Sequence, residues 1–202
     1  MRVVGLCGGS GSGKGVVAGL LSEYGFAHID TDKIYHDITD KPSACLDELV
    51  ETFGKEILNT TGGLNRPALA EIVFNSPNKE EYRKKLNEIA HRHVLFTVRA
   101  LLPTLKSEGY KVALVDAPLL FESGFDKECD LILAVTAPTD LRIKRICERD
   151  GISPDAAQRR IASQLSDEFL LSHSDFCLTN DSDTAELRSR CEDIVKKIIN
   201  NV

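Results

Sequence analysis

The segment Gly8-Gly9-Ser10-Gly11-Ser12-Gly13-Lys14 places four glycines in seven positions and satisfies the spacing G-x-x-x-x-G-K. Glycine lets a backbone curl so that successive N–H groups converge on one point, which makes a cradle for an anion. A helix starting near Lys14 would add its N-terminal dipole, and the lysine would reach the outer phosphates of a nucleotide. With glycine near 7% of residues, a bare match of this kind arises by chance in roughly one chain in twenty of this length. Context decides the matter. Arg2 to Cys7 is a short apolar, β-branched run that reads as a buried strand. Lys14 to Tyr24 carries Val16, Val17, Leu20 and Leu21 at helical spacing and stops at Gly25. Phe26 to Asp30 reads as a second strand. Strand, loop, helix and strand in this order form a βαβ unit of a parallel sheet, with the phosphate loop at its first turn.

The middle of the chain follows another pattern. From Pro42 to Glu108 the periodicity is helical, with breaks at Thr60 to Gly63 and near Ser76-Pro77, where Ser76 is the expected N-cap and Pro77 the first helical residue. Strand signals return at Lys111 to Ala117, Asp130 to Thr136 and Phe176 to Thr179, each followed by a helical stretch. In the last of these, Asp183 to Asn200, residues Leu187, Cys191, Ile194, Val195 and Ile198 form one apolar stripe. The expected fold is α/β: one domain spanning residues 1–202, a parallel-sheet P-loop core with a helical insertion at about 40–108 and a small helical lid at about 150–174. Insertions of this kind carry substrate and lid functions.

The 25 basic and 31 acidic residues give a net charge of −6, which argues against a nucleic-acid coat or a membrane-surface binder. Six scattered cysteines without a C-x-x-C pair read as reduced thiols, several of them simply buried, and MRVVGLCGG runs into glycines before a signal-peptide core could form. The expected compartment is the cytoplasm.

The loop departs from the usual pattern at one point. Where Ser or Thr would follow the lysine and hold Mg²⁺, this chain has Gly15 and then Val16. Magnesium would then be held by the phosphates, by water and by carboxylates elsewhere, which suits an ion that keeps several waters. Nucleoside monophosphate kinases also have glycine after the loop lysine, so the departure is compatible with a kinase. Asp30 and Asp32 follow the second strand, and Asp116 ends the strand Val112 to Val115. All three lie at the carboxyl edge of the sheet, where open α/β folds bind ligands. Against function stands the ordinary use of a lone aspartate as a helix cap or turn residue. Position favours a functional role for Asp32 and Asp116 and leaves Asp30 open.

Read together, these segments resemble the dephospho-coenzyme A kinase family. The resemblance runs through Gly5 to Lys14, Ile29-Asp30-Thr31-Asp32-Lys33-Ile34, Gly63-Leu64-Asn65-Arg66 with Leu69 and Phe74, and Leu86-Asn87-Glu88-Ile89-Ala90-His91. It continues in Asp116-Ala117-Pro118-Leu119-Leu120-Phe121-Glu122-Ser123-Gly124, its most specific stretch. Then come Arg145, Arg149-Asp150-Gly151-Ile152-Ser153, Arg160-Ile161, Gln164 and Leu178-Thr179-Asn180-Asp181. The resemblance implies transfer of the γ-phosphate of ATP to the ribose 3′-hydroxyl of dephospho-coenzyme A. Carried over by position, Asp32 would orient or deprotonate that hydroxyl, and Lys14 and Arg145 would act on the transferred phosphate. Gly8, Gly9, Ser10, Gly11, Ser12, Gly13, Lys14, Gly15, Val16, Arg149 and Asn180 would bind the nucleotide. Asp30, His36, Arg66, His91, Asp116, Leu119 and Phe121 would face the acceptor. No residue would bind Mg²⁺ directly, but Asp32 and Asp116 would reach it through water.

Two positions depart from the family pattern: His36 stands where an arginine is common, and Arg92 replaces the proline after His91. Arg142, Arg145 and Arg149, three and four residues apart, share one helical face. The plain reading is a solvated face; family position assigns Arg145 and Arg149 to phosphate and leaves Arg142 to the surface. Other readings are a nucleoside monophosphate kinase, or a nucleotide-binding regulator without catalysis. A guanine-reading switch protein is disfavoured, because Asn78-Lys79-Glu80-Glu81 lacks the aspartate of Asn-Lys-x-Asp.

Overall fold

The run that leads into the glycine loop becomes strand β1 (Arg2–Cys7), followed by helix α1 (Lys14–Glu23) and strand β2 (Ala27–Asp30). The computed structural model describes residues 1–200. It falls into two compact units, Met1–Ile29 with the chain from Thr104 onward, and Asp30–Pro103.

The first unit holds the sheet. Strands β3 (Val112–Asp116), β4 (Leu131–Thr136) and β5 (Phe176–Thr179) join the first two in the order β2-β3-β1-β4-β5. The pairings of β1 with β3, β1 with β4 and β4 with β5 are all parallel. The expected βαβ unit is therefore not a neighbouring pair: β3, from some eighty residues later in the chain, lies between β1 and β2. Long-range pairing of this kind leaves no trace in local periodicity.

Central strands covered on both faces read as continuous apolar runs, and Val4 to Cys7 and all of β3 are buried accordingly. On one face α1 packs with the last helix, α9 (Thr184–Asn200), through Val17, Ala18, Leu21, Leu187, Cys191, Ile194 and Ile198. The apolar stripe expected on α9 is thus its core face, and Asp183 starts that helix by accepting the N–H groups of Ala185 and Glu186. A Leu21→Ala change would cost about 2–5 kcal/mol in such a setting. The other face comes very close at Gly5, where a Cβ would lie 2.9 Å from both Cys129 Sγ and Leu120 Cδ2.

Three further helices, α6 (Thr139–Asp150), α7 (Pro154–Ala162) and α8 (Asp167–Ser172), fill the segment between β4 and β5. Ser153 and Ser166 cap α7 and α8 by accepting the N–H groups of Ala156 and Phe169.

The second unit is helical: α2 (Thr31–Thr39), α3 (Ala44–Phe53), α4 (Arg66–Asn75) and most of α5 (Lys79–Ser107). Its core joins Cys45, Leu46, Leu49, Phe53, Ile57, Leu64, Leu69, Val73 and Ile89. The break at Thr60 to Gly63 is a turn organised by Asn59, whose Oδ1 accepts the N–H groups of Thr61 and Gly63. The second break differs from expectation. Ser76 is the C-cap of α4, its Oγ accepts the Asn78 N–H, and α5 begins only at Lys79, so Pro77 lies outside the helix. Pro77 and Asn78 instead form a turn ahead of the helix, closed by the Lys79 N–H donating to the Ser76 carbonyl at 3.2 Å.

Candidate active site

Every main-chain carbonyl from Gly9 to Gly13 accepts a hydrogen bond from the protein. The Gly9 carbonyl takes the Ser12 N–H at 3.1 Å, and the Gly13 carbonyl takes those of Val16 and Val17 at 3.0 and 3.2 Å. The three between them are held by side chains from far along the chain. Arg142 Nε donates to the Ser10 carbonyl at 2.9 Å, Arg145 Nη1 to Gly11 at 3.3 Å, and Asn180 Nδ2 to Ser12 at 2.9 Å. With the carbonyls so engaged, the N–H groups of Gly11, Gly13, Lys14 and Gly15, which donate to no protein group among the described residues, remain available to an anion.

The glycines are needed for this arrangement. Gly11 and Gly13 have φ of 78° and 87°, a region costly for other residues. The approach of the holding side chains adds a second demand. A Cβ on Gly13 would collide with Asn180 Nδ2, one on Gly9 with the Arg142 guanidinium, and one on Gly11 with the Arg142 carbonyl at 2.7 Å. Ser12 Oγ, inside the loop, is buried and has no hydrogen-bond partner among the described residues.

Register positions the carboxylate. Asp116 pairs with Leu6, so its side chain leaves the sheet edge beside the start of the loop. It forms an ion pair with Lys14, and His28 Nε2 lies 3.4 Å from its other oxygen. Burial raises the Asp116 pKa, but the His28 hydrogen bond and the Lys14 charge outweigh it, so the carboxyl is held below its ordinary value. His28 is a site residue that periodicity did not single out, because on β2 it reads as the outward residue of an alternating strand.

Arg142 corrects the sequence reading more sharply. It is 3% exposed, not a surface residue, and its Nη1 donates to both oxygens of Asp167. Helical spacing with Arg145 put it on the correct face; nothing in the sequence paired it with Asp167. Arg145 is half-buried and also reaches the Asn180 carbonyl at 3.2 Å. Arg149 is exposed and bonded to Asp150, which also pairs with Arg160. The hydrogen bond from Arg149 is the main cause that holds the Asp150 carboxyl near about 2.

A small cavity of about 80 Å³ adjoins the loop, lined by Gly8, Gly9, Leu119, Phe121 and Gln164 among others. Leu119 and Phe121, expected from the resemblance to face the acceptor, are thus brought to the loop. Phe121 meets Phe169 edge-on at 5.2 Å, and Phe169 stacks on His173 at 4.0 Å. Cys7 also lines the cavity, with its thiol pushed up to about 11, chiefly by burial.

The remaining expected residues belong to the helical unit. Asp30 caps α2 by accepting the Lys33 N–H, so the cap role left open for it is its local one. Asp32 and His36 lie one turn apart on the exposed side of α2. Arg66 donates to Asp40 at 2.8 Å and to Thr39 at 3.0 Å, while its buried Nε has no partner among the described residues. His91 is half-buried on α5.

A five-stranded α/β sheet, a glycine loop running into a helix, and a loop lysine beside a strand-end aspartate define a P-loop kinase. A family model described as "CoaE: Dephospho-CoA kinase" matches residues 2–186. The chain belongs to the dephospho-CoA kinase family. A dephospho-CoA kinase of Corynebacterium efficiens is 38% identical over 202 residues and covers 100% of both chains. One of Fusobacterium nucleatum is 40% identical over 192 residues, covering 95% of this chain and 96% of its own. The solved dephospho-CoA kinase of Campylobacter jejuni is 29% identical, with a TM-score of 0.73 over 100% of each chain.

Proposed function

We propose that this protein transfers the γ-phosphate of ATP to the ribose 3′-hydroxyl of dephospho-coenzyme A, releasing coenzyme A and ADP, the last step of coenzyme A synthesis. The observation that carries the reading is the loop whose five consecutive carbonyls are held by the protein, in a chain whose family is known. Phosphoryl transfer needs positioning and charge neutralisation more than covalent help. The loop N–H groups would receive the inner phosphates, and Lys14 would exchange Asp116 for the oxygens that gain charge. Asp32, on the exposed side of α2, would accept the proton of the attacking hydroxyl. Arg145 and Arg149 would supply further positive charge, and Asn180 would keep the loop in shape.

Magnesium, when bound, would draw charge from the phosphate oxygens. Gly15 and Val16 offer it no hydroxyl, so it would enter on the nucleotide with its waters, and Asp116 and Asp32 would bind those waters. The helical unit with Arg66, His36 and His91 would bind the acceptor, and the α7–α8 segment would act as lid. ATP as co-substrate and six unpaired thiols, three of them buried, fit a reducing cytoplasm.

One incubation series tests the reading. Purified protein is given Mg-ATP with dephospho-coenzyme A, with AMP, with CMP, or with no acceptor, and ADP and product mass are measured. Coenzyme A formed in the first tube alone supports the proposal. Phosphorylation of AMP or CMP would move the assignment to nucleoside monophosphates, and ADP formation that ignores the acceptor would overturn it.

A further inference from the structure

Gln164 touches the phosphate loop at a main-chain donor. Its Oε1 accepts the Ser10 N–H at 2.8 Å. The Ser10 carbonyl is held at the same time by Arg142, which grips Asp167 three residues beyond Gln164. The loop and the segment from Gln164 to Asp167 are therefore fastened to each other at one residue, Ser10, through the two peptide groups that flank it.

A carboxamide has one acceptor oxygen and two N–H donors. Because Ser10 contributes an N–H, the oxygen end of Gln164 is fixed on the loop and the nitrogen end carries the free donors. Nε2 makes no hydrogen bond to protein among the described residues. Gln164 is exposed and lines the small cavity beside Gly8 and Gly9, so it serves neither the core nor a helix cap. In the transferred phosphoryl group, charge spreads over three oxygens, and donors are needed on sides that the loop lysine does not cover.

We propose that Gln164 is a further catalytic residue: anchored through Oε1 by Ser10, it gives its Nε2 hydrogens to the phosphoryl group in transfer. This rests on the kinase reading above. The rival role, a plug that merely satisfies the Ser10 N–H, makes the opposite prediction for one variant. Gln164→Glu keeps an acceptor for Ser10 but removes both donors and adds a negative charge. Gln164→Ala removes anchor and donors together without adding charge.

The experiment measures steady-state kcat and KM with dephospho-coenzyme A, and separately the binding of ADP and of a non-hydrolysable ATP analogue without acceptor. The expected kcat loss is about 10–30-fold for Gln164→Ala and at least about 100-fold for Gln164→Glu. Both variants should bind ADP within about twofold of the parent, and Gln164→Glu should bind the ATP analogue about tenfold more weakly. A Gln164→Glu enzyme as active as the parent, or equal weakening of ADP and the analogue, would overturn the proposal. If the parent makes no coenzyme A, the acceptor reading fails, while the contrast between ADP and the analogue still decides on Gln164.

Discussion

Arg142 and Asp167, twenty-five residues apart, form a two-pronged ion pair in which the arginine Nη1 lies 2.9 and 3.2 Å from the two carboxylate oxygens. The arginine is buried and its Nε holds the Ser10 carbonyl, so the pair shapes the phosphate loop from beneath. Arg142 is buried but the Asp167 side chain is 35% exposed, so removing the aspartate leaves a buried charge that water reaches only in part. Asp167→Ala should therefore destabilise the protein by about 1–2 kcal/mol in urea unfolding, and Arg142→Met combined with Asp167→Ala should recover part of that loss. ATP binding should stay weak in the double variant, because the Ser10 carbonyl has lost its donor. Full recovery of binding there would show that the pair does not shape the loop.

Asp116 sets an acid limit on stability. Its folded-state pKa is depressed below the ordinary value of about 3.9, so its contribution is complete above that value and is lost as pH falls through the depressed one. Unfolding free energy should be nearly level between about pH 7 and pH 5 with respect to this group and fall below about pH 4. In Asp116→Asn the acid-side fall should be shallower. Denaturant titrations at stepped pH would show it, and an unchanged slope would remove Asp116 from the account.

Gly13 and Gly15 separate two demands placed on the loop. Gly13→Ala meets both a φ of 87° and the Asn180 amide, and should abolish measurable ATP binding. At Gly15 an added Cβ meets nothing within 4 Å. Gly15→Ser should fold normally and place a hydroxyl after Lys14, where it can bind magnesium. The Mg²⁺ concentration giving half-maximal rate should then fall, by about threefold or more for one added ligand. A rise in that concentration would show that the hydroxyl cannot reach the metal.

Asp32→Asn should lower kcat by about 10²–10⁴-fold while ATP binding, measured by calorimetry, stays within about twofold. Near-normal turnover would remove Asp32 from the chemistry.

Much of the molecule was legible in short segments. The strand boundaries at Arg2–Cys7 and Phe176–Thr179 and the buried stripe of α9 follow from periods that local sequence carries. The glycine loop was legible because its chemistry is confined to seven neighbouring residues. The start of α5 was misread because Ser76 satisfies the N-cap rule as well as it satisfies the exit from α4. Arg142 was assigned to the surface because helical spacing gives a face, not what covers it.

The sequence by itself determined an α/β chain with a phosphate loop after its first strand, the lysine that serves it, and a family resemblance pointing to a coenzyme A precursor. These rest on contiguous motifs, where spacing along the chain equals spacing in space. Only the tertiary structure decided that β3 lies between β1 and β2, which brings Asp116 to Lys14 and His28 to Asp116. Only the tertiary structure, too, brought Arg142, Gln164 and Asn180 onto the loop. Those partners lie more than a hundred residues from the loop, and their hydrogen bonds exist only once parallel pairing has been completed across the sheet.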